Sequence, residues 1–292
     1  MTGPQNRAGS ALHAPEVLHT RTGTPYLARP GVLVLAQTSF DPTALSPFVE
    51  AFPGLASVLE DPVSLAAGAG LCKTAGQLCY MSFGARRTAN ADAARYFANI
   101  LRSGHGSVLE HACYTLLVYG ISRSVTHEIV RHRAGFAFSQ VSQRYVTAQV
   151  LRFVERPEFQ SDPELHAAFE QRIDRVSAEY RRLQEALSAL QRAGADRLAA
   201  EAATDRRKRI QQAARALLPN EAEAPMIVTG NVRAWRHFIE MRASEHADIE
   251  IRGLAHTVLV CLRELEPLLF SDYVERRLAD GSTAVHTETP KV

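Results

Sequence analysis

The stretch "RHRAGFAFSQVSQRY", Arg131 to Tyr145, opens with three side chains that can carry positive charge and places a fourth, Arg144, beside its end, with serines, glutamines and aromatics between. Upstream, "RSVTHEIVRHR" has helical character that Gly135 is placed to end; downstream, "SQRYV" reads as resumed extended structure. A lone Arg-His-Arg is most often a solvated helix end, where cations offset the partial negative charge of the last carbonyls. The neighbours argue for more. Arg123, His127 and Arg131 are spaced i, i+4, i+8, which on a helix is one face, and Arg133, Ser142 and Arg144 follow in the next loop and strand. Like charges at that spacing repel unless an anion or acid screens them. Arginine forks bond phosphate oxygens bidentately, so the stretch predicts an anionic ligand with more than one phosphate.

Around this local charge the 292-residue chain is nearly neutral, with a formal net charge of +2, 46 % hydrophobic and 22 % charged residues. That is a soluble globular composition, long enough to bury a substantial core. A balance so close to zero supplies no global field toward nucleic acid or an anionic membrane. A nucleic-acid-binding module, which the interleaved Arg, Phe and Tyr would otherwise suit, needs basic surface beyond this run. Cys72, Cys79, Cys113 and Cys261 have no CxxC pairing, which fits a reducing compartment, and Cys113 and Cys261 sit in apolar runs that read as core. "VLVLA" at 32 to 36 is too short for a secretory segment or a membrane span. The expectation is a cytoplasmic protein with neither membrane nor nucleic acid as partner.

Residues 1 to 28 show no apolar period and predict a flexible N-terminal arm; 29 to 280 read as a single catalytic domain, and 281 to 292 as a C-terminal tail. "GVLVLAQTS" and "CYTLLVYGIS" predict strands, the second buried. A loop at 82 to 90 precedes a helix over 91 to 103, and Pro163 to Leu218 is strongly helical with an interruption near Gly194. A last long helix is expected from Val232 to Leu265, bent or broken near Gly253. Asn231 stands where its N-cap belongs, with Trp235, Phe238, Ile239 and Met241 turned broadly inward. Arg242, His246 and Glu250 then follow at i, i+4, i+8, either as part of a site or as a surface ion-pair row worth a few tenths of a kcal/mol per pair. In "GHGSVLEHA", Ser107 and Glu110 have capping-box spacing, which alone means only a helix start. "GAGLCKT" at 68 to 74 lacks the glycine that a phosphate-binding loop needs before its lysine. His127 and His132 in "HEIVRH" are five apart and cannot share a metal from one helix face, so no metal site is expected.

The motifs "GHGSVLEHA", "ISRSVTHE", "RHR", "SQVSQRY", "RALLP" and "NVRAWRHFIEMRASEHADIEIR", in that order between about Cys79 and Leu265, closely resemble the flavin-dependent thymidylate synthase family, especially its actinobacterial-type members. The family motif has seven residues between RHR and its serine, whereas Ala134 to Val141 are eight. Either the loop after Arg133 bulges by one residue or the pairing within 134 to 138 is shifted.

The resemblance implies an α+β fold, a central mixed or antiparallel sheet packed with long helices, and not the doubly wound dinucleotide fold. It implies reductive methylation of dUMP to dTMP, with methylenetetrahydrofolate as carbon donor, FADH2 as hydride source and NADPH as reductant, in a homotetramer whose active sites are shared between subunits. By similarity Arg131, His132 and Arg133 hold FAD, joined by Cys79, Ser107, Glu110, Asn231, Arg233, His237 and His246. Ser142, Gln143, Arg144 and Arg215 would grip the dUMP phosphate, with Glu128 and Gln140 near the nucleotide and Arg242 facing the uracil ring. Arg242 and Ser142 are the candidates for the catalytic step. Ser142 lies among arginines without an obvious base and reads as a phosphate or base contact. None of the cysteines stands in a cationic, accessible setting, so no cysteine nucleophile is expected.

Overall fold

In the computed structural model, which describes residues 14–52, 55–84, 87–147 and 149–289, two short strands come first, β1 (Leu18–His19) and β2 (Pro25–Leu27), followed by β3 (Gly31–Gln37). Helices α1 (Ser46–Glu50), α2 (Ala67–Cys79) and α3 (Ala93–Arg102) lead to β4 (Cys113–Tyr119), α4 (Arg123–Ile129), β5 (Phe136–Gln140) and β6 (Phe153–Val154). Then come α5 (Pro157–Gln160), the long α6 (Pro163–Arg192), α7 (Ala203–Ala214), β7 (Met226–Asn231), α8 (Val232–Arg242), α9 (Ile249–Leu265), α10 (Pro267–Phe270), β8 (Val274–Arg277) and β9 (Thr283–His286). Both strands expected from sequence form, as do α3 and the helical pair α6–α7, interrupted where Gly194 turns with φ +86°.

The largest sheet is antiparallel throughout, in the order β3-β4-β7-β5. Side chains alternate across it, so one face carries the cross-strand row Val34, Leu116, Val228 and Phe138. That face is the floor of the main core, closed by Trp235, Phe238 and Ile239 of α8 and by Leu254, Val258 and Leu262 of α9. The opposite face carries Leu33, Leu117, Ile227 and Ser139 in one row, and Ile227 is 40 % exposed. A second core joins Phe169, Ile173 and Tyr180 of α6 to Tyr26, Phe153 and Ala214. It supports the small mixed sheet β1-β2-β6, in which β2 and β6 run parallel. The architecture is therefore α+β with several sheets.

Four expectations are corrected. The segment read as a loose arm is built into the fold from Leu18 on: Leu27 is fully buried and Thr20 Oγ1 donates to Asp174 at 2.6 Å, while residues 1–13 lie outside the described residues. The segment read as a tail contains β9, where Ala284 and Val285 are buried and Val285 N–H reaches the Ala243 carbonyl at 2.8 Å; residues 290–292 lie outside the described residues. The helix expected over 232–265 is two helices, broken at 243–248 and not at Gly253. Asp248 restarts the chain as an N-cap, its carboxylate accepting from Glu250 N–H at 2.9 Å, and Gly253 lies within α9. Extended structure occupies Phe136–Gln140, not "SQRYV": β7 offers a pairing edge there and Phe136 and Phe138 pack on the core, so the strand ends before Ser142 and the chain turns at 143–145. None of the helices among the described residues is long and apolar enough to cross a membrane.

Candidate active site

Helix α4 is short, capped at its start by Ser122, whose Oγ accepts from Val125 N–H at 3.4 Å. It ends at Ile129, so Arg131 lies in the turn beyond and the expected row of Arg123, His127 and Arg131 along one helix face does not form. What α4 and its turn deliver instead is Glu128 and His132, both half-buried. Facing them is Arg242, the last residue of α8. Its Nη1 donates to Glu128 Oε2 at 2.7 Å and its Nε to His132 Nε2 at 2.9 Å. A ring nitrogen that accepts carries no proton, so His132 is neutral with its hydrogen on Nδ1. Burial, and after it the positive groups of Arg242, His237 and Arg131, depress its pKa to about 4. The His237 and Phe238 rings stand edge-on to it at 5.6 and 5.4 Å.

The start of α8 organises the other side. Asn231 is the N-cap that sequence predicts, its Oδ1 accepting from Ala234 N–H at 2.8 Å, and its own N–H reaches the Gly135 carbonyl at 3.3 Å. Gly135 turns with φ +75° between RHR and β5. Phe136–Gln140 pair residue for residue with β7, with no bulge in that ladder. Arg233 donates to Glu110 at 2.5 Å, tying α8 to the 3-10 turn Gly106–Glu110. Ser107 is exposed on that turn and does not cap it, a correction to the capping-box reading, because Glu110 is engaged by Arg233. Cys79 ends α2, exposed, and α2 packs on the same turn. His237, Arg131 and Arg133 are exposed, and neither guanidinium has a hydrogen-bond or ion-pair partner among the described residues, although the Arg131 backbone N–H reaches the Glu128 carbonyl at 3.4 Å.

The row Arg242, His246, Glu250 is dissolved by the break between α8 and α9. The His246 side chain is 89 % exposed, beside Glu245 at 3.9 Å, and Glu250 turns into the core. Met241, expected inward, is half exposed, while Trp235, Phe238 and Ile239 are buried as expected.

A second cluster follows β5. Gln140 Nε2 donates to Thr126 Oγ1 at 3.1 Å, tying β5 to α4. Ser142 is exposed, its Oγ accepting only from Arg144 N–H at 3.4 Å among the described residues. Gln143 is buried with Nε2 unsatisfied, and Arg144 Nε is buried and unsatisfied as well. Buried donors of this kind call for an acceptor that the described residues do not supply. Arg144 opens onto a groove of about 1180 Å³ between α6 and α7, with Leu187 and Leu190 in its floor and Lys208 and Arg209 on its wall. Lys208 Nζ lies 5.7 Å from the centre of the Tyr145 ring and 3.9 Å from Asp205. Lys208 is a candidate that sequence reasoning missed. Arg215, half-exposed at the start of the turn Arg215–Leu217, follows it by seven residues, two helical turns, and that spacing was the available signal. The groove itself does not include Arg215.

Burial pushes the Cys72 thiol up to about 12 and Cys261 up to about 11, and raises Cys113 too, although Cys113 proves exposed rather than core. Among the described residues no group of three or more His, Cys, Asp or Glu is arranged to hold a metal ion.

An α+β framework that sets a neutral His132 beside the uncompensated Arg131 guanidinium, and Arg144 with an unfilled donor on a separate groove, suits phosphorylated, anionic ligands. Residues 64–268 match the family model described as thymidylate synthase complementing protein, and the chain belongs to that family. The flavin-dependent thymidylate synthase of Mycolicibacterium gilvum (strain PYR-GCK) is 47 % identical over 218 residues, 74 % of this chain and 83 % of the relative. That of Corynebacterium diphtheriae is 46 % identical over 215 residues, 73 % of this chain and 81 % of the relative. Among solved structures, a UMP/dUMP methylase, PolB from Streptomyces cacaoi, bound with 5-Br dUMP, superposes with a TM-score of 0.53 at 18 % identity, covering 84 % of this chain and 94 % of its own, and so shares the fold.

Proposed function

We propose that this chain is a flavin-dependent thymidylate synthase. It forms dTMP by moving the methylene of methylenetetrahydrofolate to C5 of dUMP and reducing it, with FAD as cofactor, NADPH as reductant and no enzyme cysteine as nucleophile. The observation that carries the reading is the mounting of Arg242 between Glu128 and a neutral His132, beside two guanidiniums, Arg131 and Arg133, that no acid among the described residues engages.

FAD fits this donor set, since a pyrophosphate needs forked cationic donors free of carboxylates. Arg131, His132 and Arg133 would hold it, with Ser107, Glu110, Asn231, Arg233, His237 and His246 around it and Cys79 at the margin. Bound there, the flavin supplies the hydride. Ser142, Gln143, Arg144 and Arg215 hold the dUMP phosphate, and the unsatisfied donors of Gln143 and Arg144 support that assignment. Lys208 joins them from the groove wall. Arg242 turns its remaining N–H groups to the uracil carbonyls and stabilises negative charge as it develops on the ring. Glu128 and His132 fix that guanidinium, and Gln140 holds β5 against α4 beside them. Ser142 serves as a phosphate contact, since no base among the described residues stands against its hydroxyl.

We further propose a homotetramer with shared sites. The half-exposed apolar row Leu33, Leu117 and Ile227 on the sheet's outer face supports assembly through that face. The test is anaerobic oxidation of NADPH with and without dUMP, followed by assay for dTMP. Yellow protein that forms dTMP only with dUMP and methylenetetrahydrofolate is the expected result; colourless protein that refuses added FAD and forms none overturns the reading.

A further inference from the structure

Glu250 has a place in the structure that neither surface pairing nor ligand contact explains. It is 6 % exposed and grips Ser122, 3 % exposed, twice: Oε1 accepts from Ser122 N–H and Oε2 from Ser122 Oγ–H, each at 2.8 Å. Among the described residues the other charged groups near it are Arg156, whose Nη1 is 3.8 Å from Oε2 but whose shorter bonds go to Asp248 and Glu158, and Asp248 itself. Burying a carboxylate carries a desolvation penalty. Capping α4 does not require it, because Ser122 Oγ already accepts from Val125 N–H.

What the carboxylate does is join α4 to the far end of the segment that carries Arg242. Ser122–Glu250 ties the start of α4 to the first turn of α9; six residues on, Glu128–Arg242 ties its end to the last turn of α8. Between Arg242 and Glu250 lie only the break at 243–248 and Ile249, so the two ties close a small ring across the α4–α9 contact. We propose that Glu250 is a positioning residue: by fixing the depth of α4 through Ser122 it sets Glu128 against Arg242, and thereby aims the guanidinium at the nucleotide. This rests on the catalytic place given to Arg242 above.

Glu250→Asp keeps the charge and shortens the side chain by one carbon–carbon bond, roughly 1.5 Å, so it breaks the grip or drags α4. Glu250→Gln keeps the length and an acceptor for Ser122 N–H. The expected result is a loss of kcat of about tenfold in Glu250→Asp at equal flavin loading, corresponding to ~1.4 kcal/mol in the barrier, and recovery to within threefold in Glu250→Gln. In a Glu128→Gln background the Asp substitution should cost less than twofold, because residues acting through one another are not additive. Equal losses in both backgrounds, or a fall in melting temperature with kcat per flavin unchanged, would overturn the proposal. Should Glu250→Asp not fold, Ser122→Ala enters the same cycle. The cycle read in unfolding midpoints needs no turnover, so a wild-type protein that makes no dTMP refutes the proposed function while the coupling between Glu250 and Glu128 is still decided.

Discussion

Arg242 and His132 meet through one hydrogen bond, Nε to Nε2 at 2.9 Å, that an imidazolium could not accept. The guanidinium is therefore fixed on two edges by chemically different partners, an anion in Glu128 and a neutral base in His132. An arginine anchored this way keeps its full charge and spends little side-chain entropy when a ligand arrives. Its loss should separate chemistry from cofactor binding. Arg242→Ala is expected to retain bound flavin by visible absorption and to lose dTMP formation by a factor of about 10² or more. Near-normal turnover in that variant would remove Arg242 from the catalytic step.

The same bond makes a prediction about pH. The folded chain holds His132 at about 4, against 6.5 for an unperturbed histidine, with burial the main cause. Below 6.5 the unfolded chain takes up a proton that the folded chain refuses, so stability present at neutral pH falls as pH drops from 6.5 and levels off below 4. After allowance for partial solvent exposure, the contribution is about 2 kcal/mol. His132→Gln keeps an acceptor for Arg242 and does not titrate. Melting temperatures measured from pH 7 to 4.5 should fall more steeply for wild type than for the variant; parallel curves would mean that folding leaves the pKa of His132 unshifted.

Lys208 tests the second cluster. Its only ion pair among the described residues is a long one to Asp205, which leaves most of its charge for a ligand in the groove. Lys208→Ala should raise the KM for dUMP about tenfold, the equivalent of one charge-assisted hydrogen bond, and leave flavin content alone. An unchanged KM would place the nucleotide phosphate elsewhere.

How far the sequence carried this reading depended on whether a residue's place was set by its neighbours in the chain or by distant ones. Asn231 was legible as a cap because capping is local, and β4 because its β-branched and aromatic residues suit a strand whatever it pairs with, the structure adding that Tyr114, Leu116 and Val118 alternate with less buried residues. The helix break was misplaced because Gly253 is a poor helix former but nothing in the fold bends there, whereas Asp248 restarts the chain and Val285, 42 residues after Ala243, takes that residue's carbonyl. The strand at 136–140 exists through its pairing with β7, a partner some 90 residues away, and local pattern placed it several residues late. Glu250 was the least legible: at i+8 from Arg242 it reads as surface, and only the break turns it toward Ser122. The residue types of the RHR and SQRY runs pointed to anion binding, and it is the fold that shows which of their donors stay unfilled.

Gly135, between RHR and β5, is a turn position where a side chain has no room. Its φ of +75° disfavours other residues, and a Cβ there would lie 2.9 Å from the Ala234 Cβ and 3.0 Å from the Asn231 amide. Gly135→Ala therefore combines left-handed strain of 1 to 2 kcal/mol with displacement of the α8 cap, and the melting temperature should fall by about 5 °C. Flavin retention should fall with it, since the turn separates Arg133 from β5. A variant with wild-type flavin content would show that RHR holds its geometry without this turn.

The outer face of the large sheet offers the last test. Ile227 is 40 % exposed there, between Leu117 and Ser139 on the neighbouring strands. A lysine at 227 can reach solvent in a lone chain, so Ile227→Lys should leave the fold of one chain intact. Across a subunit interface it would instead bury a charge with no partner, which costs several kcal/mol per contact. If that face joins subunits whose shared sites hold the flavin, the variant should elute as a smaller species, colourless and inactive, with a wild-type far-ultraviolet spectrum. Should it elute at wild-type size and remain yellow, the outer face is not the interface. A smaller species still fully loaded with flavin and active would show that one chain completes the site alone.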